Sequence, residues 1–419
     1  MRFAKLLLAA GILLTLITGC GTAGIDEAEK YVTPVEDIDV PDDVTIIGFG
    51  EATHGNVEFQ ELKKNLFEAL IKNENVRVFV LEGDFGAGQQ INDYILHGNG
   101  TAKEAVFALD YGIYKTQQMI DLIEWLHQYN ETANEDDKVY FYGNDMQRYD
   151  ASKKGLLAFY ETVNEEMAKK YTAQLQHVSN DTMRNLTAEQ LEKLDGIIDD
   201  LITDLQSHED EYLAQTSQES YAFALQYANV MRQRTSLLGN DKQYSMLRDE
   251  YLAENAKWIV EFEAQRGHNK LFISAHNGHI EKTSAAFGYK SMGDYLDEMY
   301  GNHYFAIGTD FINSTFQADH NGANKRKNYT IKNRDPLVKA FSEVESNIFY
   351  VDFELASTSK EIAEIITQKQ KMPNIGDDFS TWYKFSKMFY TLEMVPNEAY
   401  DGMIIVKEAT PTTVMESSP

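Results

Sequence analysis

The sequence predicts an α/β fold: a mostly parallel central sheet flanked by helices, with a large helical insertion covering a cleft. Three observations carry that expectation. Residues 44–50 (VTIIGFG) form an apolar run that leads into the polar turn Gly50-Glu51-Ala52-Thr53-His54-Gly55, and 57–71 follow with Phe59, Leu62, Leu66, Phe67 and Leu70 at helical spacing. A second apolar run, 76–81 (VRVFVL), comes next and ends at Glu82, Gly83, Asp84 and Phe85. Two such runs joined by one amphipathic helix read as a βαβ unit with parallel strands, which brings the polar residues at both carboxyl ends to one sheet edge. Between 151 and 239 the strand-like runs vanish and acidic, Gln-rich segments with spaced Leu and Tyr take over, the mark of a helical insertion packed beside the sheet.

Taken in order, the chain opens on Arg2 and Lys5, then an apolar stretch over 6–17 that is too short to span a bilayer comfortably. It closes in Leu16-Ile17-Thr18-Gly19-Cys20, a match to the bacterial lipobox. Residues 1–19 are therefore expected to be a signal peptide, Cys20 to be acylated, and 20–43 to be a tether. The expected location is the extracytoplasmic face of the cell membrane, held by lipid. The main domain is expected over 44–412, with helices near 89–96 and 116–129 and a third strand at 139–142 that ends in Gly143-Asn144-Asp145. Past the insertion, a helix over 244–266 carries Arg248-Asp249 near its start. The strand 270–275 (KLFISA) runs into His276-Asn277-Gly278-His279. A helix at 291–299 and strands at 304–311, 348–353 and 402–406 complete the domain, and 413–419 read as a flexible tail.

Composition removes several classes of function. The chain has 66 acidic against 38 basic residues, a formal charge of −28, which opposes nucleic-acid binding and any polybasic membrane contact. Cys20 is the only cysteine, so disulfides, cysteine-ligated zinc and a cysteine nucleophile are excluded. There is no G-x-S-x-G; around Ser291 the position of the first glycine is Tyr289. P-loop, G-x-G-x-x-G after the first strand, and H-E-x-x-H are absent as well.

What remains is a set of polar clusters at strand ends: Glu51/His54, Glu82/Asp84, Asn144/Asp145 and His276/His279. One strand-end acid commonly caps the next helix, but four clusters holding three of the ten histidines point to a shared site. A histidine–carboxylate set suits general-base activation of water, with a cation to steady oxyanion charge. It equally suits a divalent metal with an open water position, for which His54, Glu82 and His276 are the candidate ligands. Spacing does not choose between them. A third reading, from another class, is a surface lipoprotein that captures a ligand without turnover.

The motifs G-E-A-T-H-G at 50–55, L-E-G-D-F at 81–85, S-M-L-R-D at 245–249, A-H-N-G-H-I at 275–280, S-M-G-x-Y-L at 291–296 and Y-D-G-M-I-I-V-K-E at 400–408 together resemble the erythromycin esterase family, in order and across nearly the whole mature chain. The resemblance implies an α/β protein with a helical part over a deep cleft, and a hydrolase of an ester or macrolactone that needs no cofactor or obligatory metal. It implies His54 as the base that activates water, Glu51 and Glu82 as its carboxylate partners, and His276 and Arg248 as groups on the carbonyl or oxyanion. Asp84, His279, Asn277 and Asp145 would bind substrate or support these groups. Two features depart from the family pattern: the lipobox, where macrolide-inactivating members are typically cytoplasmic, and Gly83 where a residue such as alanine is expected. The implied partner is a small-molecule ester or lactone.

Overall fold

The computed structural model describes residues 25, 27–285, 288–323 and 325–415. The expected signal peptide and Cys20 lie outside the described residues. The chain runs through β1 (Val32–Thr33), β2 (Ile46–Glu51), α1 (Val57–Glu74), β3 (Val78–Asp84), α2 (Phe85–His97), α3 (Ala102–Ala108), α4 (Gln117–Thr132) and β4 (Tyr140–Asp145). Helices α5 (Asp150–Val163), α6 (Glu165–Leu175), α7 (Asn180–Met183), α8 (Ala188–Ser207), α9 (Glu209–Leu213) and α10 (Gln218–Gly239) follow, then α11 (Tyr244–Ala264). Next come β5 (Leu271–His276), α12 (Asn277–Ile280), α13 (Met292–Tyr300), β6 (Tyr304–His320), β7 (Arg326–Lys332), α14 (Pro336–Ala340) and β8 (Ile348–Asp352). The last described strands are β9 (Gln370–Pro373), β10 (Asp378–Phe379), β11 (Thr391–Met394) and β12 (Gly402–Ala409).

Among the described residues the central sheet has ten strands in the order β1-β8-β12-β6-β2-β5-β3-β4, with β7 and β10 appended to β6. Every pair from β12 to β4 is parallel; β8 and β1 add an antiparallel edge. Strands β2, β3, β4 and β5 are buried along their whole length, which is why their sequences are continuous apolar runs and do not alternate. On one face α1 lays Phe59, Leu62, Leu66, Phe67 and Leu70 on the sheet, with the Phe67 ring 5.1 Å from Phe79 and 5.7 Å from Phe272. The helix stops at Asn75, whose φ of 56° is the left-handed turn that ends many helices. On the other face Leu252, Ala256 and Ile259 of α11 pack with Val78, Val80 and Ile273.

The 151–239 segment is helical throughout, as expected, and has its own core. Helix α8 starts with a capping box between Thr187 and Gln190. Inside, the Tyr160 and Tyr212 hydroxyls each donate to Asp204 at 2.8 Å.

Several expectations need correction or extension. Strands β2 and β3 are parallel as expected, and β5 lies between them, a placement absent from the sequence reading. Residues 27–43 of the expected tether belong to the domain: β1 pairs with β8, and Val35, Ile38 and Val40 are buried in the core. The apolar side chains are too widely spaced there to show a period, yet each finds a pocket. Of the expected tail, 413–415 are described, and Val414 and Met415 donate backbone bonds to Gln317 and Lys115. The expected strand 304–311 is the first part of a 17-residue strand whose outer half pairs with β7 in a hairpin. Among the described residues no helix is long and apolar enough to cross a membrane.

Candidate active site

The turn after β2 is fixed from three sides. Glu51 stands opposite His276 in the β2–β5 register, and the Ala52 N–H donates to Thr309 Oγ1 at 2.8 Å. Gly50 is required here because a Cβ would lie 2.4 Å from the Asn277 side chain. From α1, Gln60 Nε2 donates to the His54 carbonyl at 2.9 Å. One turn further, Lys63 Nζ donates to Glu51 Oε2 at 2.5 Å, both groups fully buried. These two residues are i, i+3 on one helix face and hold the two ends of the turn.

Glu51 Oε1 lies 2.6 Å from His54 Nδ1. Burial alone would raise the Glu51 pKa, but Lys63 and His54 beside it outweigh burial and hold it below the usual carboxylate value. An ionised Glu51 favours the tautomer in which Nδ1–H donates to it and Nε2 keeps its lone pair. The His54 ring is 4.9 Å from that of His276. Burial, and then the neighbouring His54, push His276 down to about 3, so it is neutral at physiological pH. Its Nε2 faces the Ile375 carbonyl at 3.0 Å and its Nδ1 faces the Gly278 N–H at 3.4 Å.

A second cluster is built around Arg248 of α11. Its Nη2 donates to Glu82 Oε1 and to Asp145 Oδ2, each at 2.6 Å, so the carboxyl ends of β3 and β4 are tied through one guanidinium. Glu82 Oε2 accepts the His276 N–H at 2.9 Å, which links this cluster to the first. Burial raises the Glu82 pKa, yet His279, Arg248 and His54 more than offset it, and the carboxyl is held far below its ordinary range. His279 Nδ1 is 2.6 Å from Asp249 Oδ1, and its Nε2 is 3.4 Å from Glu82 Oε1 and 3.2 Å from Arg248 Nη1. Burial opposes its charge, but Asp249 and Glu82 prevail and raise it to about 9. His279 is therefore cationic at neutral pH and directs Nε2–H toward Glu82.

A cavity of about 290 Å³ opens beside these groups, lined by Arg248, Asp249, His276, Gly278 and His279 with Gln147, Tyr244, Ser245, Tyr289 and Asn374. His54 is not in that lining; its ring lies against that of His276, which is. The 151–239 insertion, expected to form part of the wall, contributes nothing to the lining either; the chain on its two borders does. The covering segment comes from after β9, where Ile375 bridges to Thr53 and donates its N–H to the Ala52 carbonyl.

Of the sequence-predicted residues, Glu51, His54, Glu82, Asp145, Arg248, His276 and His279 thus form one connected network. Glu82 is a partner of Arg248, His279 and the His276 backbone, where a bond to His54 was expected. Asp84 and Asn277 have other work. Asp84 Oδ2 caps α2 by accepting the Ala87 N–H at 2.7 Å. Asn277 grips β6, donating to the Thr309 carbonyl at 2.8 Å and accepting its N–H at 3.1 Å. Lys63 and Asp249 were missed. The signal for Lys63 was in the sequence, since it falls within the buried stripe between Phe59 and Leu66. Among the described residues no group of three or more His, Asp or Glu is disposed to hold a metal ion, and the proposed ligands Glu82 and His276 are committed to protein partners.

Residues 71–409 match the family described as erythromycin esterase. That span includes Glu82, Asp145, Arg248, His276 and His279; Glu51, His54 and Lys63 precede it. An erythromycin esterase type II from Escherichia coli is 26% identical over 295 residues, which are 64% of this chain and 68% of that protein. A solved protein from Bacillus cereus shares the fold with a TM-score of 0.78 at 23% identity, covering 89% of this chain and 91% of its own. The erythromycin esterase EreC, as a mutant in its open conformation, has a TM-score of 0.65 at 14% identity, covering 90% of this chain and 93% of its own. The match extends over most of the chain, the central, largely parallel sheet flanked by helices is the same, and the chain belongs to the erythromycin esterase family, a membership that supports an ester-hydrolysing function.

Proposed function

We propose that the protein hydrolyses an ester or lactone by general-base attack of water, with His54 as the base. The observation that carries this reading is the buried Lys63–Glu51–His54 chain, bonded at 2.5 and 2.6 Å. Glu51, kept ionised by Lys63, fixes the Nδ1–H tautomer, and His54 Nε2 takes a proton from water as the water oxygen attacks the carbonyl carbon. Glu51 then stabilises the imidazolium. The tetrahedral oxyanion is stabilised by Arg248, which faces the cavity, with the cationic His279 beside it. On collapse, the proton passes from His54 to the leaving alkoxide. Glu82 and Asp145 act by fixing the position of Arg248.

A cavity of about 290 Å³ is at the small end for ligand sites. It holds the ester group and its near substituents; a macrolactone would extend past the segment at Asn374 and Ile375. We propose further that the lipobox is processed and that Cys20 carries the lipid that holds the enzyme at the extracytoplasmic face of the membrane. The test is a panel of esters and lactones offered to purified protein with and without chelator, with product masses read in ¹⁸O-water. One label in the acid product, retained activity in chelator and loss of turnover in His54→Ala are expected. Activity that vanishes in chelator and returns with a divalent metal ion would replace this mechanism with metal-assisted hydrolysis.

A further inference from the structure

Between β10 and β11 the chain forms two short 3₁₀ turns, Thr381–Phe385 and Lys387–Phe389. Four large apolar side chains on them are exposed: Trp382 at 75%, Phe385 at 79%, Met388 at 72% and Phe389 at 53%. Among the described residues the other exposed large apolar side chains, Met299 and Leu355, are less exposed and stand apart in sequence. Three aromatics and a methionine within eight residues are a patch, and a patch of this kind in an otherwise acidic protein marks something it binds.

The charge of the segment narrows the occupant. Residues 379–390 (FSTWYKFSKMFY) hold two lysines and no acid in a chain whose formal charge is −28. Lys384 lies over the Tyr329 ring at 5.4 Å, and Lys387 pairs with Asp335 at 2.5 Å. Exposed Trp and Phe flanked by Lys is the composition that lies in the headgroup region of a bilayer, where rings enter the acyl boundary and ammonium groups meet lipid phosphates.

The position of the patch gives the second argument. Asp335, the partner of Lys387, immediately precedes α14, and at the far end of that helix the Ala340 carbonyl accepts the N–H of Ile25. The helix has five residues, about 8 Å at the usual rise. Cys20 is five residues before Ile25 and so within ~18 Å of it even on a fully extended chain. The chain leading back to Cys20 and the aromatic segment thus contact opposite ends of one short helix.

We propose that Trp382, Phe385, Met388 and Phe389, with Lys384, form a docking surface for the interfacial region of a lipid bilayer, a second contact that orients the enzyme on the membrane. The inference takes its anchor point from the lipidation of Cys20 proposed above. A lipid on the N-terminal segment holds the chain at the membrane without fixing its orientation, and an interfacial patch supplies that second constraint. The patch also belongs to the ribbon that covers the cavity. Asn374 lines the cavity, and its N–H donates to the carbonyl of Tyr390 at 2.8 Å, at the base of the aromatic segment. Docking thus presents the ribbon and the cavity beneath it in a fixed attitude to the lipid surface.

The experiment uses the full chain, purified from membranes and reconstituted on vesicles of phosphatidylcholine and phosphatidylglycerol with brominated acyl chains. Tryptophan quenching is compared with that of Trp382→Phe, which retains Trp125 and Trp258. Quenching that is lost in Trp382→Phe is the expected result. Lys384→Glu combined with Phe385→Ser should shift the loop about tenfold toward the unquenched state. An unquenched Trp382 in protein that is bound to the vesicles would overturn the proposal. So would a concentration-dependent blue shift of Trp382 without vesicles together with a doubled mass, since the patch would then join two copies. The mass of the N-terminal peptide reports separately on Cys20. If Cys20 proves unmodified while Trp382 is still quenched, the docking surface stands and the lipid anchor falls.

Discussion

Replacing Lys63 by methionine removes the one cation bonded to Glu51 and nearly keeps its volume. Both groups are fully buried and 2.5 Å apart, so the change leaves a buried carboxylate with only an imidazole beside it. Breaking a buried pair from one side costs about 3–5 kcal/mol, which for a chain of this size is a fall in Tm of roughly 4–6 °C. The effect depends on pH. In the wild type the Glu51 pKa is lowered by folding, so its contribution is present above the unfolded value and is lost as pH falls through the folded one. Without Lys63 burial is no longer outweighed, the folded pKa rises above the unfolded value, and the sign reverses: Glu51 then costs stability as pH rises from the unfolded value toward the folded one. The acid limb of kcat should move up in pH with it, and turnover at neutral pH should fall by about one to two orders of magnitude, part of the ~10²–10⁴ that a positioned base supplies. Adding Glu51→Gln removes the stranded charge, so the double variant should regain most of the stability and none of the activity. The assays are denaturant melts and pH–rate profiles on whichever ester of the panel is turned over. A Lys63→Met protein as stable as wild type, with its acid limb unmoved, would refute the reasoning.

His54→Ala should lose about 10²–10⁴ in kcat with little change in KM or melting temperature, which steady-state kinetics and melts check together. Arg248→Met strands the buried Glu82 and Asp145 and should cost about 3–5 kcal/mol in denaturant melts, whereas Arg248→Lys should retain part of it. His279, raised to about 9, contributes stability that is full below its unfolded value and lost as pH rises through about 9; His279→Gln should flatten the stability profile over that window. Asp84 is raised to about 7, chiefly by burial, so it costs stability progressively as pH rises from its unfolded value to about 7, and Asp84→Asn, which can still cap α2, should gain on wild type over that window, with its largest advantage above it and none below it.

What the sequence disclosed and what it hid follow from the kind of interaction involved. The parallel strands were legible because burial on both faces removes alternation, and 44–50 and 76–81 therefore stand out as unbroken apolar runs. Their spatial order was hidden: nothing local in 270–275 says that this strand inserts between the first two. The hairpin of β6 and β7 was readable in principle, since Asn321-Gly322 at its tip has φ of 59° and 64°, the left-handed pair that such dipeptides favour. The site was legible as a list and hidden as a wiring. Strand-end acids and histidines could be named, but which carboxylate meets which cation depends on packing across elements distant in sequence, so Glu82 was assigned to His54 and belongs to Arg248. The same reason explains Asp84 and Asn277. Each sits at a strand end beside genuine site residues, and only the direction of the side chain, into a helix N-terminus or onto a neighbouring strand, separates cap and clamp from catalysis. Lys63 shows the converse. A lysine within an apolar stripe must either point out of the stripe or find a carboxylate below it, and the strand-end Glu51, whose other oxygen is bound to His54, is the carboxylate it meets. Reading buried faces for their misplaced charges would therefore have found the residue that keeps the base's partner ionised.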